Sequence, residues 1–187
     1  MKRHLWIGIC TTLLVILLGT SALVSKPGQD LTAIKQNIEV FEGILSTVLQ
    51  QGFPDPFAVL EKPKGAYLDG FGTVFSFEID IATVKRPNLF SQARSTPEEE
   101  KKAFNERLPK LKELMEKTLA EHGDSMTSIG PEEQIAVVAQ LFNSGFLSRP
   151  LELKTVTVRT AKKNLLEYKA GRLNYEDLKK KMEVSQY

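Results

Sequence analysis

The sequence predicts an α+β fold: a single small antiparallel-rich sheet of three to five strands with amphipathic helices packed on one face, preceded by an N-terminal signal or anchor segment. Three observations carry this. Residues 73–81 alternate strictly, with Thr73, Phe75, Phe77, Ile79 and Ile81 on one face and Val74, Ser76, Glu78 and Asp80 on the other, which is the period of a half-buried strand. Leu31, Ile34, Ile38, Phe41, Leu45 and Val48, and later Phe104, Leu108, Leu111, Met115 and Leu119, recur at steps of three and four, the spacing of a helix with one apolar stripe. Lys2 and Arg3 precede an apolar run that closes on small residues, Gly19, Thr20, Ser21 and Ala22.

That N-terminal run reads in two ways. As an export signal, residues 1–22 supply Thr20 and Ala22 for the two small pockets of a signal peptidase, with cleavage after Ala22. As an uncleaved anchor, residues 5–24 make about 30 Å of helix, enough to span a bilayer. Under either reading Lys2 and Arg3 hold the start in the cytoplasm and send the remainder outward, periplasmic or secreted, or held at the inner membrane by the retained helix. Cys10 follows Ile9, not the small residue a lipoprotein signal wants, and reads as one more apolar member of the run. Residues 23–28 form a linker in which Pro27 and Gly28 break any continuing helix, and residues 29–187 are of a size for one domain.

Within that domain the first helix starts at Asp30 and ends at Gly52, followed by an extended loop over 53–56. Asp69, Gly70 and Gly72 permit a sharp reversal, so residues 66–68 pair back as the first arm of a hairpin onto the strand at 73–82. Residues 85–88 and 91–95 read as loop. Thr96, Pro97 and Glu99 make a capping box for a helix running to His122, in which Pro109 predicts a kink or two abutting helices, and Gly123 is the stop. Residues 134–142 are nearly continuous apolar, which predicts a central strand buried on both faces. After a turn at 143–145, Leu151 and Leu153 share one parity while Val156 and Val158 take the other, which predicts a strand with a bulge near Lys154. A helix over 161–170, a last helix capped by Asn174, and a short terminal strand at 183–187 complete the chain. The core follows from parity: Phe75, Phe77 and Ile79 should meet the stripes Ile34/Ile38/Phe41/Leu45 and Phe104/Leu108/Leu111/Met115.

The blocks 65–79, 122–138 (beginning His122, Gly123, Asp124, Ser125) and 165–184 resemble a group of uncharacterised exported proteins of acidobacteria-like bacteria. The resemblance covers most of the exported chain. It implies an extracytoplasmic location and carries no activity, cofactor or catalytic residue.

Charge and chemistry narrow the function by exclusion. The formal charge of +2 comes from Lys2 and Arg3, so residues 23–187 net to zero and offer no overall basic field for nucleic acid. The balance is uneven: residues 23–148 hold 13 basic against 18 acidic side chains, and residues 149–187 hold 10 against 5. Beyond the N-terminal run there is no cysteine and one histidine, which excludes disulfides, thiol catalysis and the common Cys/His zinc sites within the domain. No phosphate-cradling glycine loop or dinucleotide fingerprint is present, and no cofactor is expected. His122, beside Asp124 and Ser125, reads as a helix-end residue sooner than a catalytic base. Asp69, Glu78 and Asp80 are the candidate carboxylates for a hard cation or acid/base chemistry, weighed against solvated strand polarity. Lys162, Lys163, Lys169, Arg172, Lys179, Lys180 and Lys181 are candidates to dock an anionic polymer, lipid or acidic protein, weighed against an ordinary wet helix face. Tyr67 and Phe71 read as turn aromatics available for binding if exposed, core if buried. Two functions remain: a non-enzymatic binding or interaction module of the envelope, meeting a protein or polymer and attached to the membrane through residues 5–24 if these are retained, or a small carboxylate- or metal-dependent hydrolase.

Overall fold

The computed structural model describes residues 30–55, 58–84, 95–142 and 153–187; the signal or anchor run, the loop at 85–94 and the turn at 143–145 lie outside them. Asp30 caps helix α1 (Leu31–Gly52), its Oδ1 accepting the backbone N–H of Thr32 at 3.0 Å and of Ala33 at 3.2 Å. These are two of the donors that a helix start leaves without an internal partner. Ile34, Ile38, Phe41, Leu45 and Leu49 form its buried stripe.

The chain returns as β1 (Val59–Leu68), paired antiparallel with β2 (Gly72–Ile79). Gly70 at φ 76° and Gly72 at φ 123° make the reversal, and the Phe71 N–H donates to the Leu68 carbonyl at 3.0 Å. β1 is far longer than the arm at 66–68 that the sequence predicts. Its added residues include Lys62, Pro63 and Lys64 and two shifts of register between Val59 and Lys64, features that an edge strand tolerates and a central one does not.

Helix α2 (Pro97–His122) opens on the predicted capping box, with the Glu99 N–H donating to Thr96 Oγ1 and the Thr96 N–H to the Glu99 carboxylate. It is a single helix, which corrects the expectation of a division at Pro109. Pro109 sits on the exposed side, so the carbonyl one turn earlier, at exposed Asn105, loses its internal donor where water can replace it. A short 3-10 turn (Gly123–Ser125) follows. α2 is the crossover that makes β3 (Gln134–Leu141) parallel to β2, Phe75 lying opposite Val137.

β4 (Thr155–Ala161) pairs antiparallel with β3, then come α3 (Lys162–Lys169), α4 (Tyr175–Lys180) capped by Asn174, and β5 (Glu183–Gln186) antiparallel to β4. The described residues thus form an α+β fold on one mixed five-stranded sheet in the order β1-β2-β3-β4-β5. β4 starts beyond Lys154 and its register against β3 is unbroken, so the change of parity after Leu153 marks the strand's beginning and not a bulge.

Thr73, Phe75, Phe77, Ile79, Ile135, Val137, Ala139, Leu141, Val156, Val158 and Thr160 fill one face of the sheet, all buried. The apolar ones join Ile34, Ile38, Phe41, Leu45, Leu111 and Met115 of the helices in one core, with Phe104 and Leu108 packed half-buried against it. The predicted meeting of the strand face with both stripes is therefore present, and the Phe41 and Phe75 rings lie 4.5 Å apart. The opposite face is different. Val74, Ser76, Glu78, Gln134, Val138, Thr155, Thr157 and Arg159 are half-buried, Gln140 is exposed, and of the β3 residues on that face Ala136 alone is buried, so β3 is buried along its length on one face and not on both.

Candidate functional site

The three candidate carboxylates stand at three different places in the fold. Asp69 is exposed in the β1–β2 turn, Glu78 lies half-buried on the open face opposite Glu61, and Asp80 is 3% exposed just past the end of β2. The Asp80 Oδ1 accepts the backbone N–H groups of Ala82 at 3.0 Å and Thr83 at 2.9 Å, the work of a turn-forming aspartate. Among the described residues no group of three or more His, Asp or Glu is arranged to hold a metal ion, and no helix is long and apolar enough to cross a membrane. His122 ends α2, its carbonyl accepting from Ser125 Oγ at 2.6 Å, which is a helix-end role.

The lysine-rich C-terminal region is spent largely on the acidic body. Lys163 lies 2.6 Å from Glu132, Lys169 3.7 Å from Asp124, and Lys179 2.9 Å from the buried carboxylate of Glu116. Lys180 and Lys181 pair within the region, with Asp177 at 2.9 Å and Glu167 at 3.8 Å. The hydrogen bonds to Glu132 and Glu116 hold Lys163 and Lys179 above the usual lysine range. The uneven charge of the two regions is thus an internal complementarity.

Lys162 is the exception in kind. It is buried, and its ammonium donates to the carbonyls of Met126 at 2.6 Å and Ile129 at 2.9 Å. Burial pushes it below the usual lysine range, against the pull of the Glu133 and Asp124 carboxylates. Glu133, also buried, accepts the Tyr67 hydroxyl at 2.7 Å and the Gly130 N–H. Tyr67 therefore ties the hairpin to the start of β3 and is not a free binding aromatic.

At that same end of the sheet the first residue of β3 and the last of β4 pair, Gln134 opposite Ala161, and a cleft of about 360 Å³ opens around them. Phe71, Gln134, Arg159, Asn164, Lys181 and Glu183 supply its wall. Arg159 binds Glu183 through Nε at 3.1 Å and Nη2 at 2.6 Å, both to the same oxygen. Asn164 donates from Nδ2 to Thr160 Oγ1 at 3.0 Å. Phe71, half-buried, is held in place by the Gln134 N–H, which donates to its carbonyl at 2.7 Å. The sequence singled out Phe71 and Lys181 and missed the rest of the wall. The signal it offered was the run of open-face parities, since Gln134, Arg159 and Ala161 carry the side of the sheet that the core does not use.

No protein-family model, curated protein or solved structure matches this chain.

Proposed function

We propose that the chain is an exported, envelope-associated and non-enzymatic binding module, with the cleft at Gln134 and Arg159 as its binding site. The observation that carries this reading is spare hydrogen-bonding capacity: among the described residues neither the Gln134 side-chain amide nor Arg159 Nη1 has a protein partner, and both line one cleft. The resemblance to exported proteins and the positive, apolar start of the chain support the location.

The placement of α1 adds to it. Asn37, near the start of the helix, accepts the Ser128 N–H at 2.9 Å, while Ala58, just beyond the helix end, accepts the Asp80 N–H at 2.7 Å at the opposite end of β2. The helix therefore begins at the end of the sheet where the 123–133 segment leads into β3 and the cleft opens. With an anchor ending at residue 24, the five residues 25–29 that separate it from Asp30 reach at most about 18 Å. If residues 5–24 are retained as an anchor, the cleft is held close to the membrane surface.

The test uses the full chain. Mass analysis of cell fractions is expected to find it outside the cytoplasm, starting at Leu23 or anchored, and a cytoplasmic pool bearing Met1 overturns the export. Solubilised envelope material is expected to raise the melting temperature of the purified protein but not that of a Gln134→Ala/Arg159→Ala variant. A hydrolytic activity abolished by a chelator or by Asp80→Asn overturns the non-enzymatic reading.

A further inference from the structure

We infer that the cleft takes the free carboxylate end of a peptide, an inference that rests on the cleft being the binding site. Its charged groups are two cations, Arg159 and Lys181, and one anion, Glu183. Glu183 is committed to one edge of the guanidinium and Lys181 pairs with Glu167 at 3.8 Å, so the charged residues of the wall sum to one net positive charge with one edge of the guanidinium uncommitted. A single carboxylate matches that balance. The free Nη1 of Arg159 gives it a directed donor, and the Lys181 ammonium a second charge nearby. A phosphate dianion fits worse, because its second charge would face Glu183.

The neutral part of the wall selects for amides. Gln134 has both its carbonyl and its amino group to offer, and Asn164 uses only Nδ2 internally, on Thr160. Together they match the donor and acceptor of a peptide unit preceding the carboxylate. Phe71 lies at the edge of the same cleft with apolar surface for the terminal side chain. At about 360 Å³ the space is at the small end for a ligand pocket, which suits a chain end and not a folded surface.

The experiment titrates the full-length protein in detergent micelles with N-acetyl-Ala-Phe as the free acid and as its C-terminal amide, read by calorimetry and by backbone amide NMR. The acid is expected to bind at least about tenfold more tightly than the amide. Arg159→Ala should erase that preference with the circular dichroism unchanged. Arg159→Lys should keep part of it, because the charge remains and the fork is lost. Gln134→Ala should weaken acid and amide alike. Equal binding of acid and amide, or a preference that survives both Arg159→Ala and Lys181→Gln, overturns the inference. If neither peptide binds while a neutral oligosaccharide shifts the Phe71 and Gln134 resonances, the peptide ligand is refuted and the binding site stands. If no probe shifts them and envelope material leaves the wild-type melting temperature unmoved, both fall.

Discussion

The Glu42 carboxylate on α1 accepts the backbone N–H of Gly65 on β1 at 2.7 Å, with Lys64 3.5 Å from its other oxygen. Gly65 belongs to an edge strand, and its N–H is turned away from β2, where an unpaired donor invites another chain. Glu42 closes it. Glu42→Ala should cost about 1 to 2 kcal/mol by leaving a half-buried donor unmet. Hydrogen exchange at the Gly65 amide should accelerate by about tenfold or more, following that loss. Exchange unchanged in the variant would show that the bond is not made in solution.

Phe77 and Glu78 are neighbours on opposite faces of β2, and the contrast between them tests the face assignment. Phe77 is 2% exposed within the core, so Phe77→Ala should leave a large cavity and cost about 3 to 5 kcal/mol. Glu78 lies directly across from Glu61 on the open face, where like charges repel. Glu78→Ala should therefore cost less than about 1 kcal/mol, and the repulsion it relieves lowers that further. Urea midpoints of the two variants make the comparison; equal losses would mean that Glu78 has a buried role.

Periodicity made much of this legible. The strand face of Phe75, Phe77 and Ile79, the stripe from Ile34 to Leu45 and the capping box at Thr96 are local patterns, and each formed where its spacing placed it. What failed to show depended on neighbours far along the chain. The start of β1 is charged and contains Pro63, and it is a strand because β2 offers it an edge. The 134–142 run looked doubly buried because its apolar residues are continuous, whereas the sheet has a packed face and an open one. The lysines of the C-terminal region looked like a docking surface because the carboxylates that meet Lys163, Lys169 and Lys179 lie 31 to 63 residues earlier in the sequence. The cleft was invisible for the same reason: the hairpin turn, three strands, a helix and the segment before β5 each contribute one to three residues to it.

The hairpin turn should separate backbone strain from crowding. Gly70 and Gly72 both have positive φ, at 76° and 123°. A Cβ on Gly70 would meet nothing within 4 Å, so Gly70→Ala should cost only the left-handed backbone penalty of about 1 to 2 kcal/mol. A Cβ on Gly72 would lie 2.2 Å from the Gln134 carbonyl oxygen, which belongs to the β2–β3 ladder and cannot move without breaking it. Gly72→Ala should thus cost at least about 2 kcal/mol more than Gly70→Ala, and its denaturation midpoint should show it. It should also disturb the Gln134 resonances at the cleft, while Gly70→Ala leaves them in place.

Lys162 tests whether burial or the nearby carboxylates dominate at the turn of chain that precedes β3. Lys162→Met keeps the length and apolar stem but removes the donors to the Met126 and Ile129 carbonyls and a cation that feels the Glu133 carboxylate, and should cost about 2 to 4 kcal/mol. The pH dependence fixes the sign of the electrostatics. With burial outweighing Glu133 and Asp124, the folded-state pKa of Lys162 lies below its ordinary value of 10.5. Between those two values the unfolded chain holds the proton and the folded protein does not, so this group's contribution to stability rises with pH. The stability gap between wild type and Lys162→Met should therefore widen as pH is raised from 7 toward 10.5, a comparison in which the other titrating groups largely cancel. Paired urea melts across that range measure it. A gap that narrows instead would mean that the carboxylates outweigh burial, and that Lys162 and Glu133 act as a stabilising ion pair beneath the cleft.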